Sequence, residues 1–220
     1  MSQPPQTAPF DLLPPLLRGL SLTITLTLWG SLLALVVAIF VGIARASRYL
    51  LIRGISGFYV EIFRGTSILV QLFWIYFVLP LPPFLIDISA FEAGVLALGL
   101  NVGAYGAEVV RGAIKAIPRG QIEAATALNM TPALMMRRVI LPQAMVRILP
   151  PFGNLLIELL KATSLVSLIT LTDITRQALL LRQSVGRTTE TFILLLVIYF
   201  LLAYPLTLGV RWLEKQRRWA

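Results

Sequence analysis

The chain has 220 residues, 57% of them hydrophobic and only 13% charged, against roughly 25% charged in an ordinary soluble domain. Its formal charge of +9 is scattered over the flanks of apolar segments and not gathered on one soluble face, which argues against nucleic-acid binding. There is no Cys and no His, so disulfides, thiolate zinc sites and imidazole catalysis are excluded.

The Pro-rich start, Met1 to Phe10, lacks the basic n-region of a signal peptide. Leu20 to Ala44 carries no charge; at about 1.5 Å per residue it spans the roughly 30 Å hydrocarbon core with some tilt. A second span is predicted over about Gly57 to Leu81, ended by Pro80-Leu81-Pro82-Pro83. In it Gln71 is a lone polar residue among apolar neighbours, expected to hydrogen-bond across helices. Its aromatic group (Phe63, Phe73, Trp74, Tyr76, Phe77) reads as lipid-facing or core.

The third span, Phe91 to Val110, holds Gly99 and Gly103, a small-xxx-small face that brings backbones close. Asn101 and Tyr105 lie four apart on one stripe and are candidates for a polar lining. The fourth, Phe152 to Leu171, contains Asn154, Glu158, Lys161, Thr163, Ser164 and Ser167. After a polar loop from Asp173 to Glu190, a fifth runs from Thr191 to Trp212. Pro118 to Gly120, Pro142 and Pro150-Pro151 are expected breaks. A sixth span arises only if the Pro150 region begins a re-entrant piece.

The expectation is an all-α integral membrane protein with about five transmembrane helices. A short external N-terminal segment (1–18) precedes one transmembrane domain (19–213), and a basic tail (214–220) follows. Glu61/Arg64, Glu108/Arg111 and Glu158/Lys161 are each three apart, so each pair shares a helical face and can neutralise itself. A lone charge at bilayer depth costs about 2.5–3.5 kcal/mol. Glu158 and Lys161 are the deepest and are read as facing a polar cavity or a partner subunit.

Lys and Arg placement sets the orientation. Thirteen lie on one side: Arg45, Arg48 and Arg53; six from Arg111 to Arg147; and Arg211, Lys215, Arg217 and Arg218. Only Arg18, Arg176, Arg182 and Arg187 lie on the other. The N-terminus is therefore expected outside, with the C-terminus and the 119–142 segment in the cytoplasm. The last three external arginines break the rule.

That 119–142 segment is a helix-turn-helix in a chain otherwise built to cross lipid. Gln121 to Leu128 is rich in helix formers. Asn129 stands where a left-handed residue ends a helix. Thr131 with Pro132 starts a second helix to about Leu141, and Pro142 is an expected end or kink. Composition leaves two uses open: docking to a protein, or lying on the lipid surface.

The pattern resembles the EAA loop in permease subunits of bacterial ABC importers. Glu123, Ala124 and Ala125 begin it, Asn129 stands at the family's Gly, Val139 at its Ile, and Leu141-Pro142 close it. Phe63-Arg64-Gly65-Thr66-Ser67, Leu149 to Asn154 and Leu160-Lys161-Ala162-Thr163-Ser164-Leu165 are similar to the polar amino acid uptake branch, extending the likeness from about Leu20 to Lys215. The wording around Ala127-Leu128-Asn129 also resembles the permease of ectoine/hydroxyectoine importers.

The resemblance implies the type I importer permease fold, with the loop as a coupling helix seated on an ATPase and Glu123 in polar contact there. It implies two ATPase subunits, a second permease (a paralogue more than an identical copy) and a periplasmic or lipid-anchored solute-binding protein. The location implied is the bacterial inner membrane. No Gly-x-x-x-x-Gly-Lys-Ser/Thr motif occurs, so the chain is not expected to be an enzyme or to hold a cofactor, and ATP is expected on the partner. The candidate substrate pathway is Gln71, Asn101, Tyr105, Asn154, Glu158, Lys161, Thr163 and Ser164. An ion-coupled secondary transporter or channel subunit is the alternative.

Overall fold

The computed structural model describes residues 9–217. The expected N-terminal segment and basic tail fall partly outside them, at 1–8 and 218–220. Among the described residues the chain is all helix and turn, with no strand.

A 3-10 turn, Pro9–Leu12, leads into α1 (Leu13–Leu17), and Gly19 joins it to α2 (Leu20–Arg45). On α2, Leu26, Gly30, Ala34, Ala38 and Gly42 recur every fourth residue and are all buried. That stripe packs on α5 (Ala90–Lys115). The two helices run parallel, because Gly94 meets Leu26 near their starts and Gly42 meets Val110 near their ends. A Cβ at Gly99 would lie 2.6 Å from the Leu33 side chain, and one at Gly103 2.7 Å from Val37. Lipid tails are as apolar as Leu, so such helices associate through close packing, and small residues permit it. The expected role of Gly99 and Gly103 in helix packing is met by a matching stripe on α2.

The second span differs from its expected single helix. It begins earlier, as α3 (Leu50–Gly65), and breaks at Thr66 and Ser67. It resumes as α4 (Ile68–Phe73) and a π-helical turn, Trp74–Val78, bent from α3 by 103°. Counting the bent pair once, five spans among the described residues are long and apolar enough to cross a membrane.

After α5 come α6 (Arg119–Ala127) and α7 (Pro132–Met135), then a π-helical turn, Met136–Ile140, and α8 (Leu141–Ala162). Pro142 was expected to end or kink the second short helix, and Pro150-Pro151 to separate segments. Neither does: a continuous helical path runs 38 residues, from Pro132 to Ile169. Pro142 follows directly on the π turn Met136–Ile140, whose wider coil makes room for the ring. The fourth span thus grows directly out of the elbow, and its last turns, Thr163–Ile169, tighten to 3-10 geometry.

The polar stretch expected as a loop is also helical: α9 (Ile174–Val185). Asp173 caps it by accepting from the Arg176 and Thr175 N–H groups at 2.9 and 3.1 Å. Ile174 and Ala178 bury against Leu16 of α1 and Ile198 of α10 (Thr188–Arg217). α10 then runs back along α8, with Val210 against Gly153. The ends of α2, α5 and α10 and the start of α8 therefore lie at one end of the bundle, with α6; α1 and α9 lie at the other.

Candidate functional site

The geometry of α6 starts at its C-terminus. Asn129 has φ 53°, the left-handed conformation its side chain tolerates. Met130 N–H donates to the Ala125 carbonyl (3.1 Å) and Asn129 N–H to that of Thr126 (2.9 Å). This is the paired arrangement of a Schellman cap. Thr131 Oγ1 accepts from Leu134 N–H at 3.3 Å and starts the next helix at once. The helix begins two residues before the expected Gln121 and ends at Ala127.

A nine-residue helix is unstable alone, so its attachments matter. Ala125 is its one buried residue. Gln143 of α8 reaches Gln121 (3.4 Å), and Arg147 of α8 donates to the Ala116 carbonyl at the end of α5 (2.6 Å). Glu123, Ala124, Thr126 and Ala127 are exposed, and Leu128 is 74% exposed. Leu141 is half-buried and Pro142 exposed where α8 begins. The result is a short rigid helix projecting from the bundle end. Because αL geometry suits glycine best, Asn129→Gly should keep the thermal stability, while Asn129→Val should lower it by about 1–2 kcal/mol; thermal unfolding of both variants checks this.

The pathway candidates divide into two sets. Asn154, Glu158 and Lys161 are exposed, spaced four and three apart on one face of α8. No ion pair joins Glu158 to Lys161 among the described residues, so the pair does not neutralise itself. Ser164 donates to the Lys161 carbonyl (2.9 Å) and, with Lys161, Tyr199, Tyr204 and Arg211, lines a groove of about 540 Å³ between α8 and α10. Tyr105 is 39% exposed on α5.

Gln71, Asn101 and Thr163 are buried. Thr163 donates to the Leu160 carbonyl at 2.7 Å. Asn101 donates to the Phe63 carbonyl (2.9 Å) and to Gln71 Oε1 (3.0 Å). Gln71 donates to the same Phe63 carbonyl (2.9 Å) and to Thr66 Oγ1 (2.7 Å). Together they satisfy the carbonyls freed where α3 ends, as a break at membrane depth requires. The cross-helix bond expected of Gln71 is thus made, with Asn101 as its partner.

Glu61 and Arg64 form no ion pair among the described residues; Arg64 instead lies 5.1 Å over the Tyr105 ring. Glu108 and Arg111 do pair (2.8 Å), and Arg45 joins them from α2 (3.0 Å). Sequence spacing missed Arg45 because its partner is 63 residues away. It also missed Asp173, which is fully buried. Burial pushes its carboxyl above the usual range, while its N–H donors pull it back. An Asp preceding a helix was the available signal.

A five-span bundle with one broken span, an unneutralised polar face and a small projecting helix defines a membrane-embedded transport subunit. Residues 30–219 match the family described as binding-protein-dependent transport system inner membrane component. The chain belongs to that family. It is 47% identical to the probable amino-acid ABC transporter permease y4tF of Sinorhizobium fredii, over 95% of this chain and 90% of that protein. It is 35% identical to the L-cystine transport system permease TcyB of Bacillus subtilis, over 94% and 91%. Among solved structures, a chain in the crystal structure of an amino acid ABC transporter with histidines superposes with TM-score 0.85 at 37% identity, over 94% of this chain and 95% of that one. The MetNI methionine ABC transporter, at TM-score 0.69 and 23% identity, shares the fold, over 97% and 99%.

Proposed function

We propose that this permease carries a polar amino acid or a similar small zwitterion, ectoine-type solutes included, into the cell. The carrying observation is the exposed, Schellman-capped helix α6, bearing Glu123, following directly on α5 and hydrogen-bonded to α8 through Gln121. In this reading α6, with the 119–142 segment, lies in the cytoplasm and docks on an ATPase subunit that binds and hydrolyses the ATP. The N-terminus lies outside and the C-terminus inside.

The Asn154, Glu158 and Lys161 face supports a pathway at the seam with a second permease. Two opposite charges facing lipid are expensive, whereas facing a partner they present an anion and a cation to the two ends of a zwitterion. With no internal repeat, one bundle supplies half of a symmetric path, and a paralogous second permease supplies the other. At the outer end, Arg176 and Arg182 are exposed on α9 and form no ion pair among the described residues. They are the contact we assign to the solute-binding protein, which accounts for arginines on the side where the charge rule disfavours them.

The test is uptake by the complex reconstituted with its ATPase and binding protein. Lys161→Ala is expected to insert normally and to cut uptake about tenfold, with Glu158→Gln acting in the same direction. Normal uptake by both variants removes these residues from the path. Uptake that survives loss of the ATPase and collapses with an ion gradient selects the secondary-transporter reading instead.

A further inference from the structure

We propose that Glu108 is a positioning residue that makes α2, α3 and α5 move as one unit when α6 is pushed. This rests on the coupling reading above and concerns how the push travels.

Glu108 sits on α5 two turns before the helix ends at Lys115 and passes into α6. Its side chain is only 16% exposed. One carboxylate oxygen accepts from Arg111 Nε of the same helix (2.8 Å); the other accepts from Arg45 Nε at the end of α2 (3.0 Å). The Arg45 guanidinium lies across α3 as well, since a Cβ on Gly57 would come within 2.7 Å of Arg45 Nη1. One carboxylate thus joins two helix ends, and its partner lies against a third.

On its other side Glu108 lines an open surface cleft of about 510 Å³, together with Arg147 and Pro151 of α8. At this level the Glu108–Arg45 pair ties α5 to α2 and brings the guanidinium against α3, while Arg147 of α8 holds the Ala116 carbonyl at the end of α5. The unit ends at the α3–α4 break, where the second span is already bent by 103°. A displacement of α6 is therefore passed through α5 and Glu108 to α2 and α3, and the break is where the second span can take up the angle.

The experiment is the ratio of solute transported to ATP hydrolysed in the reconstituted complex. Glu108→Gln and Arg45→Gln are each expected to keep ATP hydrolysis and to lower the ratio about tenfold. Arg111→Gln removes only the partner on α5 itself and should leave the ratio near wild type. Gly57→Val alters no charge and displaces the Arg45 guanidinium; it should lower the ratio even if Glu108→Gln proves too unstable to purify. A purely structural ion pair would lower yield, hydrolysis and uptake together, with the ratio constant. An unchanged ratio in Arg45→Gln and Gly57→Val, or an equal fall in Arg111→Gln, overturns the proposal. A wild-type complex whose uptake needs no ATP overturns the coupling reading itself, and the proposal with it.

Discussion

Glu123→Lys is expected to leave the permease folded and inserted while reducing its co-purification with the ATPase about tenfold, equivalent to about 1.4 kcal/mol. The substitution is selective for physical reasons. Glu and Lys have similar helix propensities, and Glu123 is exposed on α6 with no hydrogen bond or ion pair among the described residues. Nothing that holds α6 in place is disturbed: the Schellman cap, the buried Ala125 and the Gln121–Gln143 contact remain. What changes is the sign of the one acidic charge on α6, amid the exposed Arg119, Arg137 and Arg138. A charge reversed at a protein interface costs both the lost contact and the new repulsion. Unchanged co-purification would leave α6 as a lipid-surface helix.

Gly42→Leu should abolish the folded bundle. The Cβ alone would sit 2.5 Å from Val110 Cβ and 2.8 Å from the Ala107 carbonyl, a backbone atom that cannot swing aside. The rest of the leucine must then force α2 and α5 apart along the stripe from Leu26 to Gly42. Overpacking typically costs about 1–3 kcal/mol. Here no flexible neighbour can yield, and the expected effect is at the upper end, read as loss of monodisperse protein after detergent extraction. Gly54→Ala and Gly209→Ala are the controls: a Cβ there meets nothing within 4 Å, and both should extract like wild type.

Much of the fold was legible because lipid imposes simple rules. Long apolar runs marked the five spans, though the second and fourth begin earlier than expected, and Gly99 with Gly103 announced a close helix contact. The Asn129, Thr131 and Pro132 chemistry located the elbow to within two residues. What escaped was decided by context. Pro142, Pro150 and Pro151 read as breaks, yet a preceding π turn and packing on α5 and α10 keep the helix running. The break at Thr66 and Ser67 follows Arg64-Gly65 with no proline beside it; it is held by Gln71 and Asn101, 30 residues apart in sequence.

The charged pairs teach the same lesson. Spacing of three made each pair possible, but only Glu108 and Arg111 meet. Arg64 prefers the Tyr105 ring, and Glu158 and Lys161 stay apart on the open face of α8. Arg45 reaches Glu108 only because the small residues of α2 and α5 bring those helices into contact in parallel. Long-range pairing follows packing, and one chain's local pattern does not reveal it.

Since the chain contains no cysteine, a lone thiol introduced as Thr126→Cys, on the exposed side of α6, reports its surroundings without background. The measurement is labelling of that thiol in intact cells by a membrane-impermeant maleimide. No labelling until the membrane is permeabilised is the expected result, and it fits an inward-projecting helix available to an ATPase. Prompt labelling from outside intact cells would put α6 on the wrong side of the membrane and contradict the coupling account.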